Sequence, residues 1–573
     1  MRAIASDHRS PRPEAADGVI VDGRTCSTGE ALVADICIIG GGPAGITLAH
    51  DLASSGLKII LVESGSTRRQ SAAEALNTGG EVFNGFAPLS LFRRRMLGGA
   101  SVVWGGRCVP FDPIDFEARQ HVPLSGWPVS YDEIAAYYPQ ASDYCEVGRG
   151  DYQTTGADRP LRPFIDGFAS DDVLTSSYER FSAPTNFGKR YRAALRTCRS
   201  LVVLTNTSCI ELVSAGDGDI KEARCATLAD TRLSVRATKF VVAAGGIESF
   251  RLLANSTAAA GHALGDGGGM LGRCLMNHIE GTLGRLVLDR PDRKIAWDFE
   301  RAEGGVFCRR RITLSPEAQR QHQTLNFVAR LHHELVADPR HHNAVLSAMF
   351  MVKRMLLPEY RAKLSLVEDS ALIPKGAAFW GLHARNIAFG APALAGFSAG
   401  WFWRRHLFYH RIPYVVLRSP RGIYPLDINA EESPNPASRV CLNDKRDRFG
   451  MRQVSVHWNP SEKDFDSIAA SCRILRDAFA ASGAGTYEFD DEKLDADVRK
   501  FRPIGGHHIG VTRMSRSPAD GVVDANCKVH GTGNLFVASA SVFPTSSHAS
   551  PTLTILALSL RLSNHLRQQM KAS

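Results

Sequence analysis

Residues 34–39, Ala-Asp-Ile-Cys-Ile-Ile, form an apolar run of the kind expected for a strand covered on both faces, and they lead directly into Gly40-Gly41-Gly42-Pro43-Ala44-Gly45. Residues 46–55 follow with helical spacing and Gly56 as the stop. Residues 58–62 are the next buried strand, with Glu63 at its end. The pattern predicts a complete βαβ unit. A second apolar strand over 240–244 runs into Gly245-Gly246 and a helix over 247–253, and residues 201–204 and 209–213 predict further strands of the same layer. Further on, 455–458 alternate as a strand does and 462–479 read as an amphipathic helix. The expected organisation has a mobile leader over 1–33 and a discontinuous nucleotide-binding domain over 34–280 and 500–573. Residues 66–190, irregular and rich in Gly, Pro and aromatics, form a lid or insertion within it, and 281–499 form a substrate-binding domain. The fold class is α/β, Rossmann-like, with an α+β second domain.

Composition narrows this picture. At 573 residues the chain exceeds one small core, and 44% apolar with 22% charged residues is ordinary for a globular protein. The net charge of +9 is dispersed over short clusters, Arg93-Arg94-Arg95, Arg309-Arg310-Arg311 and Arg404-Arg405, which read as a solvated surface. No basic stripe interleaved with aromatics suggests a nucleic-acid partner. The twelve cysteines form no CxxC pair and no zinc spacing, so reduced thiols in a cytoplasmic protein and no metal are expected. The N-terminus lacks the apolar stretch of a secretory signal. Residues 386–403 carry no charge, but Pro392 and Gly390, Gly396 and Gly400 interrupt them. They read as a core or lid segment, with docking on a membrane surface as the alternative.

In the glycine loop, Gly40 permits the tight turn, Gly42 lets the backbone approach a pyrophosphate, and Gly45 lets the helix pack closely on the sheet. Glu63 is placed to bind ribose hydroxyls. The chain has no second nucleotide loop, since the glycines at 265–269 follow no apolar strand. The bound dinucleotide is therefore read as the redox centre itself, which points to FAD.

Four motifs occur in order: the loop with Glu63; Gly98-Gly99-Ala100-Ser101 with Trp104-Gly105-Gly106; the strand ending Ala243-Ala244-Gly245-Gly246; and the segment from His507 to the helix after Pro551. In this the chain resembles the glucose–methanol–choline (GMC) oxidoreductases. The resemblance implies FAD and oxidation of an alcohol carbon, with oxygen or another acceptor taking the electrons. It implies cofactor contacts at Gly40, Gly42, Pro43, Ala44, Gly45, Glu63, Gly98, Gly99, Ser101, Trp104, Gly105, Cys209, Ala244, Gly245, Ser539, Ala540, Pro551, Thr552 and Leu553. Family members that bind FAD covalently do so through a histidine after the Gly-Gly-Ala-Ser loop. Val102-Val103-Trp104 has none, so non-covalent FAD is expected. The family's catalytic histidine maps to His507, and imidazole suits a base acting near neutral pH. His508, on the opposite side of an extended backbone, is read as packing. The family's Asn or His before Pro-Thr-Leu-Thr is Ser550 here, so either Ser550 donates the second hydrogen bond or His548 reaches in instead. Residues 104–108 with the Pro-Phe-Asp-Pro that follows resemble bacterial members acting on sugars or glycosides. The substrate expected is therefore a sugar, glycoside or polyol. A lyase that keeps FAD, or a catalytically weakened flavoprotein of the same fold, is the alternative.

Overall fold

The computed structural model describes residues 19–153, 163–216, 218–356, 376–503 and 506–572. Strands β1 (Val19–Asp22), β2 (Glu30–Ile39), β3 (Ile59–Val62), β7 (Leu201–Thr205), β8 (Ser208–Ser214), β9 (Ile220–Ala226) and β10 (Arg232–Val242) form one sheet in the order β1-β7-β3-β2-β10-β9-β8. The five strands from β1 to β10 run parallel. β9 and β8 return antiparallel, and the late strand β19 (Leu535–Val537) adds in parallel to the C-terminal end of β10. The apolar run of β2 is buried, as expected of a central strand in a covered parallel sheet. Helix α1 (Pro43–Leu52) packs there against the last helix, α7 (Thr552–Ala572), so the two ends of the chain share one core.

A second sheet is antiparallel and runs β18-β11-β15-β14-β13-β6-β5, with β12 (Glu300–Arg301) on β13. Its members are β5 (Arg107–Cys108), β6 (Val173–Phe181), β11 (His278–Leu288), β13 (Phe307–Leu314), β14 (Phe327–Leu331), β15 (Ile423–Glu431) and β18 (Gly485–Glu488). Helix α6 (Glu462–Ser482) buries Phe465, Ile468, Cys472, Leu475 and Phe479 in this sheet's core. A small third sheet joins β16 (Arg439–Arg446), β17 (Arg452–His457) and β4 (Glu81–Phe83).

Three expectations are corrected. Residues 19–33 are not a loose leader: β1 is the sheet's edge strand beside β7, and β2 begins at Glu30. Residues 1–18 lie outside the described residues. The stretch 66–190 is not only a lid, since it supplies β4 to the third sheet and β5 and β6 to the antiparallel one. Arg309, Arg310 and Arg311 are buried along β13 rather than solvated. Arg309 Nη1 donates to Tyr414 Oη at 2.6 Å, Arg310 Nε to Glu300 at 2.7 Å and Arg311 Nε to Ser177 Oγ at 2.8 Å. A guanidinium in a covered strand needs such partners, because an unpaired buried charge is strongly destabilising. Arg93 and Arg95 are likewise held, both by Glu248, at 2.7 and 2.8 Å.

Candidate active site

The ends of β2, β3 and β10 open into a cavity of about 450 Å³. Three helix N-termini border it: α1 after Gly42, α2 (Gly246–Ala254) after Gly245, and α7 at Pro551 and Thr552. Their unpaired N–H groups and aligned dipoles make the cavity attractive to anions. The glycines shape it. A Cβ on Gly42, Gly105 or Gly245 would meet no protein atom within 4 Å, so at these positions the cavity reaches the backbone. Gly45 works behind the wall, where a Cβ would lie 1.9 Å from the Gly40 carbonyl oxygen. Glu63 is buried and accepts the Gly41 N–H at 2.8 Å and the Gly65 N–H at 2.7 Å. Burial raises its pKa above the usual carboxylate value despite these two donors and Arg95.

Most of the expected cofactor residues line this cavity: Gly40, Gly42, Pro43, Ala44, Glu63, Gly99, Ser101, Trp104, Gly105, Cys209, Ala244, Gly245, Ser539, Ala540, Pro551 and Thr552. Three expected contacts are not on the wall. Gly45 packs α1 on the loop, Gly98 donates its N–H to the Gly41 carbonyl at 2.8 Å, and Leu553 is wholly buried in the core. The wall takes in the glycine loop, three helix N-termini, the buried Glu63 carboxylate and His507, a set of groups that fits a dinucleotide such as FAD.

His507 and His508 both reach the cavity. His508 is therefore not turned away from it as alternation predicts, although it also stacks on Phe86 with centroids 5.9 Å apart. Burial, helped by Arg93 and His507, pushes the His508 pKa down to about 3. His507 is half-buried, and its Nδ1 lies 3.0 Å from Nδ1 of His278. His278, fully buried at the start of β11, has its Nε2 3.2 Å from the Ser546 carbonyl oxygen. A carbonyl only accepts, so His278 Nε2 carries the proton. Burial, with His507 adjacent, holds His278 neutral, its pKa well below the ordinary value. His278 Nδ1 is then bare and accepts from His507 Nδ1–H. Burial and Arg107 push the His507 pKa down to about 4, so His507 too is neutral and its Nε2 keeps a free lone pair. His278, Glu280 and His507 each bring a possible ligand atom within 4.8 Å of the others, but the two facing imidazole nitrogens are accounted for by one shared proton.

Neither of the two residues expected to assist His507 hydrogen-bonds to it. His548 is buried in an ion cluster, its Nε2 3.1 Å from Asp112 Oδ2 and 3.0 Å from Arg311 Nη1. Burial opposes the Asp112 charge, but Arg311 and His548 outweigh it and hold that carboxyl well below the usual range. Ser550 is buried and is not on the cavity wall, unlike Pro551 and Thr552 beside it. The group that contacts His507 is His278. Nothing in the Asn277-His278-Ile279 sequence marks it, and it is 229 residues from its partner.

Comparisons with known proteins agree with this geometry. A family model described as GMC oxidoreductase matches residues 434–559, and one described as FAD binding domain matches residues 35–80. The 2-methyl-1,2-propanediol dehydrogenase of Mycolicibacterium austroafricanum is 25% identical, over 93% of this chain and 95% of its own. The 6'''-hydroxyparomomycin C oxidase of Streptomyces lividus is 22% identical, over 94% of this chain and 92% of its own. Among solved structures, pyridoxine 4-oxidase from Mesorbium loti shares the fold with a TM-score of 0.54 at 17% identity, covering 93% of this chain and 98% of that one.

Proposed function

The chain belongs to the glucose–methanol–choline oxidoreductase family, and from that premise we propose that it uses FAD to oxidise an alcohol carbon of a polyol, sugar or glycoside to a carbonyl, with His507 as the base. The observation that carries the assignment is the free Nε2 lone pair of His507 on the cavity wall, fixed by the proton it donates to His278.

When bound, FAD supplies the hydride acceptor. The protein's residues do the rest. Gly40 to Ala44 and the α1 N-terminus hold the pyrophosphate, and Glu63 binds ribose hydroxyls in place of backbone N–H groups. The α7 N-terminus at Thr552 stabilises negative charge where it borders the cavity. His507 Nε2 takes the hydroxyl proton as the carbon is oxidised, and His278 keeps its ring in the orientation and tautomer that allow this. Arg107, which helps to keep His507 neutral, is itself held 3.4 Å from the buried Glu179. Two relatives are named for a diol and a hydroxyparomomycin. FAD is held without a covalent bond, so acid precipitation of the protein should release all of its colour into the supernatant.

The test is anaerobic mixing of the FAD-loaded protein with a panel of polyols, sugars and glycosides. At least one should bleach the flavin's visible absorbance, and His507→Ala should slow that bleaching by roughly 10²–10⁴-fold, the usual contribution of a general base. Bleaching by no alcohol, or an unchanged rate in the variant, overturns the proposal. Peroxide formation on readmitting air assigns oxygen as the acceptor, and its absence assigns another.

A further inference from the structure

Helix α5 (Ala391–His406) has no buried residue along its 16 positions. With α3 (Ala344–Leu356) and α4 (Ala377–Phe389) it forms a helical projection beside the antiparallel sheet. Its last turn and the segment after it expose Phe402, Trp403, Leu407, Phe408 and Tyr409, with Trp403 60% accessible. Arg404, Arg405, His406 and Arg411 are interleaved with them. From 376 to 426 the sequence has six arginines and no Asp or Glu; Arg404 pairs with Asp298 at 3.7 Å and Arg421 with Glu334, while Arg411 and Arg418 are exposed.

The exposure does not come from a loose segment. Ile412 packs on Phe181 and Phe307, Trp401 and Tyr414 pack against the same cluster, Arg405 Nη1 donates to the Ile412 carbonyl at 2.6 Å, and Tyr409 donates to Glu146. Soluble monomers rarely display contiguous apolar patches of this kind without a partner. Aromatic rings beside arginines match the boundary of a lipid bilayer, where rings sit at headgroup depth and guanidinium groups pair with phosphate. At 1.5 Å per residue α5 is about 24 Å long, short of the ~30 Å hydrocarbon layer. Among the described residues no helix is long and apolar enough to cross a membrane. A second copy of the chain suits the patch poorly, because a two-fold contact would set its arginines against their own kind.

We propose that this face docks the protein on the surface of an anionic lipid bilayer, with Phe402, Trp403, Leu407 and Phe408 entering the headgroup layer and the exposed Arg411 and Arg418 pairing with lipid phosphates. The face is anchored to the antiparallel sheet, where Phe181 packs with Ile412 and has the Arg107 guanidinium 6.0 Å from its ring centroid.

The test is cosedimentation of the FAD-loaded full chain with vesicles of phosphatidylcholine alone and of phosphatidylcholine with roughly one-third phosphatidylglycerol. Partition onto the anionic vesicles should be at least tenfold stronger and should weaken as salt is raised. The double variant Phe402→Glu, Trp403→Glu should lose at least tenfold in partition while still being bleached by substrate in solution. Arg411→Ser with Arg418→Ser should bind less and with a smaller salt dependence. Equal partition of the Phe402/Trp403 variant and the parent, or no pelleting with anionic vesicles, overturns the proposal. So does a lipid-free dimer that the Phe402/Trp403 variant converts to monomer, which would assign the face to a second copy.

Discussion

A neutral imidazole has one proton and two nitrogens, and at His507 the neighbouring His278 decides between them. Because the Ser546 carbonyl fixes the His278 proton on Nε2, the His507 proton is drawn to Nδ1 and away from the cavity. His278→Phe removes the acceptor, so kcat for flavin reduction should fall at least tenfold with little change in KM. His278→Gln, which restores an acceptor, should recover part of it. Ring ¹⁵N spectra read the tautomer directly, and an unchanged His507 tautomer in His278→Phe would remove His278 from its positioning role. The pH dependence follows from the same pair. His507 loses its lone pair only when protonated, and its pKa lies at about 4. The reduction rate should therefore stay level from neutral pH down to about 5 and fall with a midpoint near 4, rather than near the ~6.5 of a solvated histidine. Arg107 is the second cause of that depression, after burial. Arg107→Met should move the midpoint upward, and a midpoint that stays in place would show that burial acts alone. None of this chain of contacts is legible in the sequence. His507 is marked by its spacing to Gly510, but His278 and the fates of His548 and Ser550 depend on side-chain directions in a turn and a strand far apart in the chain.

At the scale of elements, short-range patterns were legible and long-range ones were not. The first βαβ unit shows in the sequence because its strands are apolar throughout and its turn needs glycine for reasons local to six residues. Strand β6 does not show, because Leu174, Thr175, Ser176 and Ser177 break the alternation and its polar side chains find partners on other strands, Ser177 with Arg311, Tyr178 with Glu300 and Glu179 with Arg330. The arginine triplet in β13 misleads for the same reason: charge in sequence suggests solvent, and only the pairing with Glu300, Asp112 and Tyr414 explains its burial. The glycine loop separates folding from binding in a measurable way. In Gly45→Ala the new methyl group meets the Gly40 carbonyl, so α1 must shift and the apo-protein's Tm should fall by several degrees. In Gly42→Ala the methyl group meets no protein atom and projects into the cavity, so the apo Tm should hold while FAD affinity drops at least tenfold. Thermal melts and FAD titration of the two variants distinguish these effects. A destabilised Gly42→Ala apo-protein would mean that the loop is shaped by packing rather than by its ligand.

For the whole molecule, the cavity is where the chain's distant segments meet. Its wall takes residues from the loop after β2, the 92–105 segment, the ends of β8 and β10, Met451, the histidine pair and the start of α7. The 92–105 segment continues directly into β5 of the antiparallel sheet, and further ties link that sheet to the nucleotide-binding side. Arg119 and Glu431 form a buried bidentate pair across it, His548 bridges Asp112 and Arg311, and His507 leans on His278. Each tie is a buried polar contact that is costly to break alone. The two sheets should therefore unfold together, and a ligand bound on the shared wall should stabilise both. At a hundredfold excess over its Kd, FAD adds about 2.7 kcal/mol to the folded state. Calorimetry should show one transition that moves to higher temperature as a unit when FAD is added. Two resolved transitions, only the first responding to FAD, would mean that the antiparallel sheet folds without reference to the cavity and that His507 is held over it by the nucleotide-binding side alone.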